Sequence, residues 1–222
     1  MFRDAVLLAE KDLRLELRSR IALGQIVPFA LLVLLLFAFA VDPDRGLLSS
    51  LTAGLFWIAV LFSAVLAIQR SFAVESGDGI VESLRMSGLD PAGIFLGKAL
   101  AITLQLLVVE VVLAFGVTIF YGAELDGLFL LVATALVATT ALVAPGTIYG
   151  ALAAGDNARE TILPLLFLPV VAPVLIGATE AFGAALGGSS SEGWSWLALL
   201  AVFAVIYTAF GLLAFGSILE ET

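Results

Sequence analysis

Six near-continuous apolar runs dominate this chain, at about 21–41, 51–69, 99–121, 127–150, 160–180 and 195–217. An α-helix needs about 20 apolar residues to cross roughly 30 Å of hydrocarbon, and it satisfies its own backbone hydrogen bonds while doing so. A transmembrane β-barrel would instead show alternating segments of about ten residues. The runs therefore predict an all-α integral membrane protein with six transmembrane helices, a single transmembrane domain over residues 1–222. Composition agrees: 62% of the residues are hydrophobic and only 13% charged, against roughly half and a quarter in soluble domains. The first run starts near Ile21, has full spanning length and lacks a small-x-small cleavage site, so a retained span is expected.

Orientation follows from the basic residues. With six spans and both ends on one side, Arg3, Lys11, Arg14, Arg18, Arg20, Arg70, Arg85, Lys98 and Arg159 share the side of the termini, and only Arg45 lies opposite. Both termini are therefore expected in the cytosol. The outer loops are acidic, with Asp42, Asp44, Glu124 and Asp126, and Glu192 sits in the outer segment 181–194.

Several chemistries are excluded by what the chain lacks. It has no cysteine and no histidine, which removes thiolate and imidazole ligation of zinc, copper or heme iron and every thiol or serine–histidine mechanism. The remaining candidate heme ligands are Met1, Met86 and three tyrosines, so no directly bound cofactor is expected and cofactor chemistry falls to a partner. A net charge of −9 lacks the basic footprint of a nucleic-acid binder. GIFLGKA at 93–99 has the wrong spacing for a phosphate-binding loop and no Ser or Thr after Lys98. Any ATP must therefore be bound by another chain, and a non-catalytic subunit is expected.

Three polar segments flank the spans. Residues 2–20, FRDAVLLAEKDLRLELRSR, place Phe2, Val6, Leu13 and Leu17 at helical spacing among charges. They predict an interfacial helix in which Val6, Leu7 and Leu8 enter the headgroup boundary while Lys11, Arg14 and Arg18 stay in water. The inner segment 70–98 contains ESGDGIVESLRMSGLDPAGIFLGK; its length is that of a functional or a disordered loop, and its composition argues against disorder. Ile80, Val81, Leu84 and Met86 form a short amphipathic pattern with Glu82 and Arg85 on its polar side. Asp90 and Pro91 then suit the cap and first position of the next helix. On these grounds two readings stay open, docking on a soluble partner or plain re-entry at the interface. The second inner connection, ALAAGDNARE at 151–160, offers Asp156 or Asn157 as a cap and Arg159 as an anchor.

Within the spans, Glu110 stands out. It lies roughly 18 Å along the helix from Lys98, and a carboxylate at that depth normally faces protein or a wet cavity. Its partner must come from another helix, with Thr139, Thr140, Thr147 and Tyr149 as candidates. A structural hydrogen bond and a translocation or gating role both stay open, whereas Glu180 sits at the outer interface. Pro164, Pro169 and Pro173 predict a bent fifth span. The AFGAALGG segment that follows, 181–188, reads as re-entrant, and Gly146 and Gly150 permit close helix packing.

The arrangement resembles the heme exporter protein B (CcmB) family, permeases of the cytochrome c maturation ABC system, over essentially the whole chain. The likeness runs from the charged N-terminus through Phe56-Trp57, QRSF at 69–72, the blocks up to SGLDPAGIFLGKAL, APGTIYGALAAGDNARETILPLL and PLLFLPVVAPVL. Gln69 departs from it, standing where a glutamate is expected. The resemblance implies a six-helix ABC-2 permease fold in the bacterial cytoplasmic membrane and a homodimer bound to cytosolic ATPase subunits (CcmA-like). It further implies a heme-handling membrane subunit (CcmC-like), a small membrane subunit (CcmD-like) and a periplasmic heme chaperone (CcmE-like). On that basis 70–98 becomes the coupling loop, with Glu75, Asp78, Glu82 and Arg85 as candidate ATPase contacts and heme as a possible substrate. A permease for another amphiphile, a non-transporting assembly scaffold and an ion-coupled carrier using Glu110 are the competing classes.

Overall fold

The computed structural model describes the chain except for residues 20, 42–44, 77–87, 155–158, 188–189 and 222. The described residues form α1 (Phe2–Ser19), α2 (Ile21–Ala40), α3 (Arg45–Ser76), α4 (Pro91–Tyr121), α5 (Leu128–Ala154), α6 (Arg159–Leu186) and α7 (Ser190–Glu221). Each of the six apolar runs thus lies in its own helix. Among the described residues, five stretches are long and apolar enough to cross a membrane: Leu47–Ala73, Pro91–Tyr121, Leu128–Ala153, Leu166–Leu186 and Ser191–Ile218. The first run corresponds to α2, a 20-residue helix whose fully described apolar part, Gly24–Ala40, is shorter.

Several helices extend well beyond the apolar runs. α3 has 32 residues and α4 has 31, so each is more than 45 Å long at about 1.5 Å per residue. α4 begins at Pro91 rather than near 99, because Asp90 caps it before the apolar run begins. An apolar pattern marks where hydrocarbon begins. A cap marks where the helix begins, and in a membrane protein the two need not coincide.

α5 is the centre of the bundle, packed against α3, α4, α6 and α7, whereas α2 leans on α3 and α4. The shared interior includes many small residues, with Ala59, Ala64, Ala138, Ala141 and Ala178 wholly buried. Such residues let helix backbones approach closely, which is how spans associate where lipid is as apolar as leucine. The GxxxG pair does this directly. Gly146 faces Ile68 and Phe167, and a Cβ on Gly150 would lie 2.6 Å from the Phe72 ring. The outward faces are apolar too, carrying Phe39, Ile119, Phe129 and Leu213, as hydrocarbon surroundings require.

One expectation for the fifth span is changed by the fold. The segment read as re-entrant is not: Ala181 to Leu186 continue α6 as ordinary helix. Ala181, Phe182 and Ala185 are buried, and Phe182 stacks on Phe56 at 4.5 Å, so packing against α3 holds these turns in place. The three prolines lie inside this same helix, which runs without interruption from Arg159 to Leu186. Pro173 has no N–H to give the carbonyl of Pro169. Next to that gap, Tyr207 of α7 donates its hydroxyl to the Val170 carbonyl at 2.8 Å.

Candidate functional site

At the basic end of the bundle, α3 and α4 bracket the segment expected to dock a partner. Glu75 lies in the last turn of α3, with its side chain outside the description. Asp78, Glu82 and Arg85, and the short helix expected around them, fall within 77–87, outside the described residues. The root of the segment is described. Gly88 takes a left-handed φ of 67°, a conformation that favours glycine. Asp90 then adopts extended backbone, its Oδ1 accepts the Ala92 N–H at 3.0 Å, and Pro91 opens α4. This is the capped start expected from Asp90-Pro91. The Met1 ammonium lies 3.4 Å from Asp90 and 3.1 Å from Asp4. The hydrogen bond to Asp4 pushes the Met1 amine up from its ordinary value, and the same bond holds the Asp4 carboxyl down.

GIFLGKA, uninformative as a phosphate loop, has a structural role. α1 lies across the start of α4, and its closest approach is at Gly93 and Gly97. A Cβ on Gly93 would stand 2.8 Å from the Met1 carbonyl oxygen, and one on Gly97 would stand 2.8 Å from both the Ala5 carbonyl oxygen and Leu8 Cβ. Ala5, Leu8 and Ala9 are buried in this contact, while Phe2, Val6, Leu7 and Leu17 face outward. Leu8 therefore packs on protein rather than entering the headgroup layer, whereas Val6 and Leu7 remain outward as the amphipathic reading requires. Arg14 pairs with Glu10 on the same helix.

One residue past Gly97, Lys98 is almost completely buried, with 1% exposure. Its Nζ lies 3.5 Å from Asp12 Oδ2 on α1 and 3.4 Å from both the carbonyl and the hydroxyl oxygen of Ser71 on α3. It also sits 4.7 Å from the centroid of the Phe72 ring, a cation–π arrangement. A buried ammonium is costly unless paired and hydrogen-bonded, and Lys98 has both kinds of partner. Sequence reading counted it only as a basic anchor. The available signal was its place immediately after a glycine pair spaced four apart. Nearby, Arg70 donates to Gln25 Oε1 at 3.0 Å, joining α3 to α2.

Inside the bundle, Glu110 is buried with 4% exposure. Thr139 of α5 donates its hydroxyl to Glu110 Oε1. Of the candidate partners, Thr140 turns back to Leu136 O at 2.7 Å and Thr147 to Val143 O at 2.9 Å, which leaves Thr139 for the carboxyl. Among the described residues, Glu110 Oε2, Thr134 Oγ1 and Trp57 Nε1 are buried without a hydrogen-bond partner. Glu180 is exposed toward the C-terminal end of α6, as are Pro169 and Pro173 earlier in the helix. Among the described residues, no contact brings Glu110 and the basic-end residues together.

Comparison with known proteins gives this architecture its relatives. A family model described as "CcmB protein" matches residues 3–221. The chain is 32% identical over 209 residues to "Heme exporter protein B" of Pseudomonas aeruginosa, covering 94% of each chain. It is 32% identical to the Rhodobacter capsulatus protein of the same name, covering 91% of this chain and 90% of that one. For the Paracoccus denitrificans protein the identity is 34%, over 77% of this chain and 78% of the relative. With a match running from residue 3 to residue 221 and helices able to cross a membrane several times, this multi-pass membrane protein belongs to the CcmB family.

Proposed function

We propose that this chain is the membrane permease subunit of a heme export system serving cytochrome c maturation. The observation that carries the reading is the near full-length match to relatives named heme exporter protein B. In this reading the protein lies in the bacterial cytoplasmic membrane with both termini and the 77–87 segment in the cytosol, in accord with the placement of nine of its ten basic residues. A separate ATPase subunit seats on that segment, with Glu75, Asp78, Glu82 and Arg85 supplying contacts. Hydrolysis there drives either heme movement or release of a heme-loaded periplasmic chaperone. The chain works as a homodimer beside a heme-handling subunit and a small membrane subunit.

The geometry supports a transmitting role. α3 and α4 lead directly from the segment into the bundle interior, and both are long, unbroken helices. The chain's own chemistry also fits transmission rather than catalysis, since it has neither cysteine nor histidine with which to hold heme iron.

Purification in mild detergent, with identification of every co-purifying chain and an absorbance test for heme, tests the proposal. An ATPase and a heme-containing membrane subunit should co-purify. Recovery of an ATPase with an amphiphile other than heme would favour a permease of another specificity. Recovery without any ATPase would overturn the reading.

A further inference from the structure

We infer that Lys98 locks α1 to the adjoining ends of α3 and α4, so that these three segments move as one body. The inference rests on the proposed transmitting role for its functional meaning, though not for its geometry.

Three observations carry it. First, α1 is followed directly by α2 in the chain but scarcely touches it, and packs instead on α4. Second, the contact with α4 is backbone against backbone at Gly93 and Gly97. Such a contact has no flexible side chains to absorb a slide, so α1 either follows α4 or separates from it. Third, Lys98 joins all three segments at one point, with Asp12 from α1, Ser71 and Phe72 from α3, and its own backbone on α4.

The position of the lock is as informative as its chemistry. Ser71 and Phe72 lie within the last turns of α3, which ends at Ser76, and Lys98 lies within the first turns of α4, which begins at Pro91. A force applied between those two helix ends therefore meets Lys98 before it reaches the bundle. The ammonium passes it to Asp12, and so to a helix whose outer face, Phe2, Val6 and Leu17, is apolar and exposed. A buried ion pair suits this task. Removing one partner leaves the other charge uncompensated, so the arrangement is held in a single register rather than sliding through a continuum.

The absence of native cysteine allows a direct test by spin-label distance measurement, with the protein in its complex and in lipid nanodiscs. The reporting pair is Val6→Cys with Leu104→Cys, both exposed positions on α1 and α4. Ile119→Cys with Phe129→Cys, both exposed near the opposite end, reports whether the fold is intact. Without nucleotide, the Val6–Leu104 distribution should be single and narrow. Lys98→Met should add a longer, broad population while the Ile119–Phe129 distribution stays unchanged. A narrow Val6–Leu104 distribution in Lys98→Met overturns the lock. If the opposite end also broadens, Asp12→Asn, at the more exposed side of the pair, carries the test with the same two outcomes. These measurements need no ATPase, so they stand apart from the functional reading. With the ATPase bound and trapped with ATP, Val6–Leu104 should stay constant. A nucleotide-dependent change in Val6–Leu104 would also overturn the single body.

Discussion

Thr139 on α5 gives its hydroxyl hydrogen to the carboxyl of Glu110 on α4, while the second oxygen of that carboxyl has no hydrogen-bond partner among the described residues. The pair ties two spans deep in the bundle, among the buried side chains of Leu106, Val109 and Leu113. Hydrogen bonds between membrane helices are typically worth about 0.6 kcal/mol and reach roughly 1.7, so this one is modest as a source of stability. Glu110→Gln keeps an acceptor for Thr139 and should leave thermal stability in detergent close to wild type. Thr139→Val strands both carboxyl oxygens and should cost about 1–3 kcal/mol, read as a lower unfolding temperature. We expect Glu110→Gln to assemble normally yet lose ATP-dependent function, and full activity in a heme-chaperone release assay would reduce Glu110 to a packing residue.

Two glycines on spans should respond to alanine in opposite directions. At Gly97 the added Cβ meets the Ala5 backbone at 2.8 Å, and at Gly54 it meets only Thr179 Cγ2 at 3.9 Å. Gly54→Ala removes a helix-weakening residue at no steric cost and should stabilise by about 0.5–1 kcal/mol. Gly97→Ala should push α1 away from α4 and make Lys11 and Arg14 more susceptible to limited trypsin digestion. Equal trypsin resistance in the two variants would contradict the backbone-to-backbone contact.

Reversing the charges at Asp78, Glu82 and Arg85 together should reduce the yield of co-purifying ATPase while leaving the spans folded. Circular dichroism in detergent reads the second quantity. Full ATPase yield from the triple variant would remove those side chains from the docking surface, and Glu75 would be the next position to reverse.

The Met1–Asp4 contact has a defined pH window. The Met1 amine is raised above 8.0 by Asp4, so its contribution is fully present below that value and is lost as pH rises through the raised one. Asp4 is lowered below 3.8 by the ammonium, so its contribution is present above that value and is lost as pH falls through the lowered one. The exchange protection factor of the Ala5 amide, which donates to the Met1 carbonyl at 3.0 Å, should therefore be highest between these limits and fall at both ends. The effect should be small, because exposed ion pairs are screened by water and salt.

What could be read in advance follows a physical division. The spans were legible because crossing hydrocarbon demands apolar residues in unbroken runs, whichever neighbours the helix meets. The Asp90–Pro91 start was legible because capping is local chemistry, completed within three residues. Thr139 as partner of Glu110 was reachable from depth alone, since few polar groups lie so far into the bundle. The seat of α1 on Gly93 and Gly97 was not legible, because a glycine pair says that something approaches closely without saying what. The pairing of Lys98 was missed for a related reason. A lysine at the edge of a span has an easy life snorkelling to water, and only the fold shows that α1 closes over it. The end of α6 was misjudged because glycine weakens a helix pattern, while the Phe56–Phe182 stack that compensates joins residues far apart in the chain.

The distance along the chain between Asp12 and Lys98 sets an order of events during synthesis. Their contact spans 86 residues, and ribosomes lengthen a chain by about 5–20 residues each second. α1 is therefore complete several seconds before Gly93, Gly97 and Lys98 exist to receive it. Through that interval α1 has no seat in the protein. Its outward stripe of Phe2, Val6 and Leu17 gives it lipid to rest on, as amphipathic helices do. The helix that is made first must thus wait for the start of α4 before it can be fixed, and its arrival closes the basic end of the molecule.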